Sequence, residues 1–293
     1  VKAAPFAYQR AGSLADAIQA CSNADAGVKV LGGGQSLGPM LNMRLVRAAM
    51  LVDISGAQDM ARVERRDGSL FIGGALTHAA IEDGALDAAL AEEAAPLARM
   101  LRHVAGTIAY RAVRNRGTLA GSLAHADPAA DWVLAMAALD AQLQCVSSSA
   151  TRRVPATAFM SGAFTTALAD GELLAGVLVP LYTADMRWGY YKFCRKTGEF
   201  AEASCAVVLD PQRGVARIVI GALDGAPASL AGLAAQVAGQ GMDALTDSAV
   251  RDAVAQAAQS KDAVDRRLIE AAVKRAVRQA LGVNEQDKVA GAA

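Results

Sequence analysis

Apolar residues recur along this chain at two periods, and the changes of period mark out its elements. Ser13-Leu-Ala-Asp-Ala-Ile-Gln-Ala-Cys21 has apolar positions at helical spacing behind a serine suited to cap them, which predicts a short amphipathic helix. Gly27–Leu31 and Ala49–Ile54 read as strands, giving the opening unit a strand–helix–strand character. Met60–Arg65 and Ser69–Gly74 flank Asp67-Gly68, a strong hairpin signal. Helices are predicted over His78–Asp83, Glu92–Val104 and Ala130–Leu139. Strands are predicted at Gln142–Val146 and Leu173–Val179, just before Pro180.

From Tyr182 the pattern changes. Met186–Phe193, Ala203–Leu209 and Val215–Leu223 predict three antiparallel strands, with Asp210-Pro-Gln-Arg-Gly214 turning between the last two. Alanine-rich helical segments follow, ending in Asp262–Leu281. Strands followed by helices imply an α+β fold with helices on one face of a sheet. The expected organisation is a first domain over 1–180, with lobes of about 1–58 and 59–180, a second over 181–285, and a tail over 286–293.

Composition narrows the function classes. With 29 basic and 29 acidic side chains, the chain offers no charge argument for a nucleic acid or a membrane surface. Val1–Tyr8 lacks a secretory apolar region, and no run reaches the roughly 18 apolar residues of a membrane span; a cytoplasmic location without a transmembrane segment is expected. The four cysteines form no C-x-x-C pair and no iron–sulfur spacing, and there are only three histidines, so no metal site is expected. Redox chemistry here would therefore need an organic cofactor.

Two glycine-rich stretches carry the candidate chemistry. The first, Lys29-Val30-Leu31-Gly32-Gly33-Gly34-Gln35-Ser36, follows a predicted strand. It fails the G-x-G-x-x-G fingerprint because position 37 is Leu, and it lacks the Lys-Ser/Thr of a P-loop. A tight turn and an anion cradle both remain open for it. The second runs from Arg116-Gly117-Thr118 through Ala120-Gly121-Ser122 to Asp127-Pro128 and Asp131. Bare backbone N–H groups beside small hydroxyls suit a pyrophosphate. Asp131 opens a predicted helix, where it can serve the helix dipole or accept from a sugar hydroxyl. Two such stretches suggest a dinucleotide held by loops.

Taken in order, Val30-Leu-Gly-Gly-Gly-Gln-Ser36, Val113-Arg-Asn-x-Gly-Thr-Leu-Ala-Gly-Ser122 and Asp127-Pro-x-x-Asp131 resemble the FAD-binding medium subunit of molybdenum hydroxylases, the carbon monoxide and xanthine dehydrogenase type. Phe6-x-Tyr8, Val52-Asp-Ile54, Ile72-Gly-Gly-Ala-Leu-Thr77, Gly171-Glu-Leu-Leu174 and Lys192-Phe-x-Arg195 extend the resemblance nearly end to end. It implies a two-lobed FAD-binding domain of the vanillyl-alcohol-oxidase (PCMH) type and a CO-dehydrogenase-flavoprotein-like C-terminal domain on a three-stranded antiparallel sheet. It also implies cofactor contacts from Lys29 through Ser36, and from Ala75, Thr77, Thr118, Ala120, Gly121, Ser122 and Asp131. Ile108 would lie near adenine, and Leu174 and Lys192 near the flavin ring. A solvated strand lysine is the other reading of Lys192. The chain departs from the family at Gly32, where Ala is usual, and at Ala120-Gly121-Ser122, where Gly-Gly-Asn is common.

The resemblance implies an electron-transfer subunit of an oxidoreductase with no catalytic side chain of its own. A large molybdopterin subunit and a small subunit with [2Fe-2S] clusters would be its partners, as a dimer of heterotrimers, with an external electron acceptor. Two other readings are a self-sufficient flavin oxidase or reductase on the same fold, and a nucleotide-binding module without redox chemistry.

Overall fold

In the computed structural model, residues 2–22, 27–90 and 92–283 are described, so the 286–293 tail lies outside the described residues. The first sheet is wholly parallel. Strands β1 (Ala7–Arg10) and β2 (Val28–Leu31) both pair with β3 (Met50–Asp53), which lies between them. Ser13 caps the helix Leu14–Ser22, its hydroxyl accepting from the Asp16 N–H at 3.1 Å. At the end of β3, Asp53 is nearly buried and accepts from the Tyr8 hydroxyl at 2.5 Å and the Ser55 N–H at 2.8 Å. Its carboxylate therefore serves the turn.

The second sheet is antiparallel throughout. It contains β4 (Val63–Arg66), β5 (Ser69–Gly73), β6 (Gln142–Val146) and β7 (Thr151–Pro155), and it is completed after the small hairpin of β8 (Met160–Gly162) and β9 (Thr165–Thr166) by β10 (Leu173–Pro180). The order is β4-β5-β10-β6-β7, so β10 joins two hairpins. Asp67 and Gly68 both take positive φ (47° and 73°), as the predicted turn requires. Two predictions shift at their edges. Gln58–Ala61 is a 3₁₀ turn ahead of β4, and the long helix begins at Ala95, with Pro96 in its first turn, and runs to Thr107.

The third sheet holds β11 (Arg187–Phe193), β12 (Ala203–Asp210) and β13 (Val215–Gly221), antiparallel as predicted, and a two-residue edge strand β14 (Ala228–Ser229) extends it. The turn after β12 is anchored by Asp210, which is fully buried and accepts from the Thr183 N–H and hydroxyl at 2.7 and 2.8 Å. Alternation along β12 decides which core each residue joins. Ala206 and Val208 face the helix Asp131–Ala138 and the main core, whereas Cys205, Val207 and Leu209 face the helix Ala263–Ala280. Cys145 and Cys205 are buried thiols, and burial pushes the Cys145 thiol up to about 11. No helix among the described residues is long and apolar enough to cross a membrane.

The C-terminal helix seats directly on β11 at Gly189. A β-carbon there would lie 1.8 Å from the Ala276 carbonyl oxygen. Gly189→Ala should therefore lower the unfolding free energy by about 1–3 kcal/mol or more. A urea midpoint unchanged from the wild type would contradict this packing.

Candidate functional site

The two glycine stretches meet backbone to backbone. A β-carbon on Gly33 would lie 1.8 Å from the Arg116 carbonyl oxygen and 2.7 Å from the Gly117 nitrogen, and one on Gly32 would lie 2.7 Å from Thr118 Oγ1. Arg116 Nε also donates to the Gly33 carbonyl at 3.3 Å. Glycine is required here for close approach, whatever its φ. In the first stretch, none of the main-chain N–H groups from Gly32 to Ser36 donates to another described residue. These groups sit between the end of β2 and the helix Leu37–Asn42, and they stay half-buried or exposed. Beside them opens a cavity of ≈ 310 Å³ with an apolar wall of Phe6, Leu31, Leu41 and Leu51 and a polar edge at Gln35 and Arg116.

The second stretch is more helical than its glycines suggest. Thr118 caps the helix Leu119–His125, its hydroxyl accepting from the Gly121 N–H at 3.1 Å. Gly121 and Ser122 thus lie in the first turn of a helix, and the Ser122 N–H donates to the Thr118 carbonyl at 3.0 Å. The Gly121 and Ser122 N–H groups are therefore occupied, while the Thr118 hydroxyl keeps its own proton to donate. Thr77 pairs with Thr118 in an isolated antiparallel bridge, and the His78 and Leu119 N–H groups complete it by donating to Gly117 and Leu76 at 2.9 and 3.0 Å. Gly74 carries the join into the second sheet, since a β-carbon there would lie 2.7 Å from the Leu174 carbonyl and 2.8 Å from the Ala120 side chain.

Asp131 and Lys192 form a second cluster. Both are nearly buried, and Lys192 Nζ lies 3.0 Å from the Asp131 carboxylate. Asp131 also accepts from the Tyr190 hydroxyl at 2.5 Å, and the Thr107 hydroxyl lies 3.3 Å away, its one proton shared with the nearer Val104 carbonyl at 2.8 Å. Burial, and then the Asp131 charge, push the Tyr190 phenol well above its usual range. Lys192 is thus no solvated lysine, and the Asp131 carboxylate is already engaged by Lys192 and Tyr190. Tyr190 and Thr107 escaped the sequence reading. The Tyr190-x-Lys192 spacing was the available signal, because alternate residues of β11 share a face.

Other expected positions are more scattered. Lys29 is exposed on β2, opposite Leu51, with Val30 and Leu31 half-buried beside it. Ala75 hydrogen-bonds through its N–H to Met60 at 2.8 Å. Ile108 ends the helix Ala95–Thr107, and its carbonyl accepts from Arg114 at 3.0 Å. Arg114 in turn pairs with Glu82 at 2.8 Å and holds that carboxyl below its usual range. Among the described residues, no cluster of three or more His, Cys, Asp or Glu is placed to hold a metal ion.

Glycines in backbone contact, five unspent N–H donors and an adjoining half-apolar cavity fit a dinucleotide cofactor. Residues 4–182 match the model of the FAD binding domain in molybdopterin dehydrogenase. The chain belongs to this family. It is an FAD-binding medium subunit of the molybdenum hydroxylases and part of an oxidoreductase. The nicotine 6-hydroxylase medium subunit of Paenarthrobacter nicotinovorans is 34% identical over 217 residues, 73% of each chain. Quinoline 2-oxidoreductase from Pseudomonas putida 86 superposes with a TM-score of 0.83 at 30% identity, over 96% of this chain and 99% of that one. Carbon monoxide dehydrogenase from Hydrogenophaga pseudoflava, in a form lacking the Mo-pyranopterin moiety, gives 0.84 at 26% identity with the same coverage.

His78, packed under Gly117, gives the contact between the glycine stretches a pH signature. Burial, with the Arg114 charge nearby, lowers its pKa from 6.5 to about 4. Above pH 6.5 the ring is neutral in folded and unfolded chains alike. As pH falls from there towards 4, the unfolded chain takes up a proton that the fold refuses, and stability drops by up to about 3 kcal/mol. In urea titrations between pH 7 and 5, His78→Asn should show a shallower loss than the wild type; equal slopes would place the titration elsewhere.

Proposed function

We propose that this chain carries electrons for a molybdenum-containing hydroxylase, from the [2Fe-2S] clusters of a small subunit through its FAD to an external acceptor. A large molybdopterin subunit would hydroxylate the substrate, so the choice of substrate lies outside this chain. The backbone contact between Gly32–Gly33 and Arg116–Thr118, beside unspent N–H donors, carries this reading, because it makes one anion-binding edge from two separate stretches. The nicotine hydroxylase and carbon monoxide dehydrogenase relatives support the setting.

In this reading the chain has an FAD domain over 1–180 and a C-terminal domain over 181–285, and it works in the cytoplasm within a dimer of heterotrimers. Residues Lys29 to Ser36 line the pyrophosphate, with the N–H groups of Gly32 to Ser36 as donors. The Thr118 hydroxyl donates from the facing stretch, with Ala75, Thr77, Ala120, Gly121 and Ser122 forming the adjoining surface. Ile108 packs against adenine, and Leu174 lies near the flavin. Asp131 serves the ribityl side while it fixes the Lys192 ammonium. Bound FAD supplies a ring that exchanges electrons singly or in pairs. A fixed cation beside such a ring favours negative charge on it, which raises its tendency to accept electrons.

The purified chain, supplied with FAD, should absorb between about 350 and 500 nm, where a bound flavin does. Gly33→Val should yield poorly flavinated protein, because its β-carbon would enter the Arg116 carbonyl, 1.8 Å away. Full flavin occupancy in that variant would refute the cradle. Isolation from its host together with molybdenum- and iron-containing subunits is expected; a lone chain that turns over a substrate would overturn the electron-carrier reading.

A further inference from the structure

His78 is 4% exposed, and its ring lies directly beneath Gly117. A β-carbon on Gly117 would lie 2.8 Å from both Cδ2 and Nε2 of that ring, so the imidazole edge sets how deep the glycine stretch can sit. The opposite side of the ring is fixed as well. Trp132 Nε1 donates to His78 Nδ1 at 3.0 Å, and because an indole N–H can only donate, Nδ1 must be the unprotonated nitrogen. The proton of the neutral ring then resides on Nε2, the nitrogen facing Gly117. The His78 N–H donates to the Gly117 carbonyl at 2.9 Å, so backbone and side chain of one residue grip the same glycine.

The donor, Trp132, follows Asp131 at the start of one helix. Asp131 receives Tyr190 and Lys192 from the third sheet, while Trp132 reaches back to His78. Two neighbouring residues therefore connect the Lys192 cluster to the loop that Gly33 rests on. Arg114, two residues before Arg116, lies close enough for its charge to oppose a proton on His78.

We propose that His78 is a positioning residue of the cofactor cradle: an imidazole held by Trp132 as the Nε2–H tautomer, whose edge sets the height of Gly117 and Thr118 against Gly32 and Gly33. The proposal rests on the reading of these loops as the FAD cradle. It concerns how tightly FAD is held and gives His78 no part in electron transfer.

His78→Asn separates the two contacts. An asparagine carbonyl reaches the Nδ1 position and can still accept from Trp132, but it leaves nothing where Cδ2 and Nε2 support Gly117. This variant, as the full chain, should unfold near the wild-type midpoint at pH 7.5 and bind FAD about tenfold more weakly by flavin fluorescence titration, the usual scale for a misplaced polar contact. Trp132→Phe removes the hold on Nδ1 and frees the ring to turn away from Gly117, so it should also weaken FAD. In the apo-protein, ¹⁵N spectra of the histidines should show one ring as the neutral Nε2–H tautomer throughout pH 5.5–8, with that signature lost in Trp132→Phe.

Wild-type FAD affinity in both variants would overturn the proposal, as would an Nδ1–H tautomer. If His78→Asn fails to fold, the Trp132→Phe titration and the wild-type spectra still decide it. A wild-type chain that binds no FAD would instead defeat the cradle reading, while the tautomer would still report whether Trp132 holds His78.

Discussion

A carbonyl oxygen at Arg116 occupies the space where Gly33 would need a side chain, and the rest of the site depends on that exclusion. Gly33 lies in the loop that leaves the parallel sheet, and Arg116 in the turn before the helix Leu119–His125, which packs on β10 of the antiparallel sheet. Two stretches more than eighty residues apart thus meet main chain to main chain, with the Arg116 side chain adding a bond to the Gly33 carbonyl. Side chains adapt by changing rotamers, but backbone in contact has few ways to yield, so the contact constrains how the two stretches sit together. Around it the structure adds further backbone grips: the Thr77–Thr118 bridge, the bond between His78 and Gly117, and the packing of Gly74 against Leu174 and Ala120.

How much of this was legible in the sequence depended on the range of the cause. Local signals held well. Asp67-Gly68 announced its hairpin, Ser13 its helix, and the apolar run Ala203–Leu209 a strand that proved to be buried on both faces. Where a distant partner decides, the sequence was silent. Residues 119–125 read as loop because Gly121 and Ser122 weaken a helical pattern, yet the Thr118 cap and burial of Leu119 and Leu123 make them helical. The edge strand at Ala228–Ser229 exists only because β13 offers a free side.

The candidate site followed the same rule. The glycine stretches were conspicuous, and their pairing was anticipated from chemistry, but that Gly33 would press on Arg116 was not. Asp131 and Lys192 were singled out separately, 61 positions apart, and nothing local showed that they would meet. Tyr190 and Thr107 were missed because a tyrosine in a strand and a threonine at a helix end are ordinary until a buried carboxylate needs partners. That carboxylate ties the third sheet to the flavin-binding part of the chain, so the two cannot be displaced without stranding a buried charge.

The place of β10 has a consequence for how the molecule comes to exist. This strand lies between β5 and β6, yet it is the last of the three to be synthesised, by more than twenty-five residues. Until Leu173–Pro180 leaves the ribosome, the two hairpins have no common partner, and each presents an unpaired edge to its surroundings. Gly74 likewise lacks the Leu174 and Ala175 backbone it packs on. The nascent chain therefore cannot complete this sheet early in translation, and the interval before β10 arrives is when the subunit is most exposed to pairing with the wrong chain.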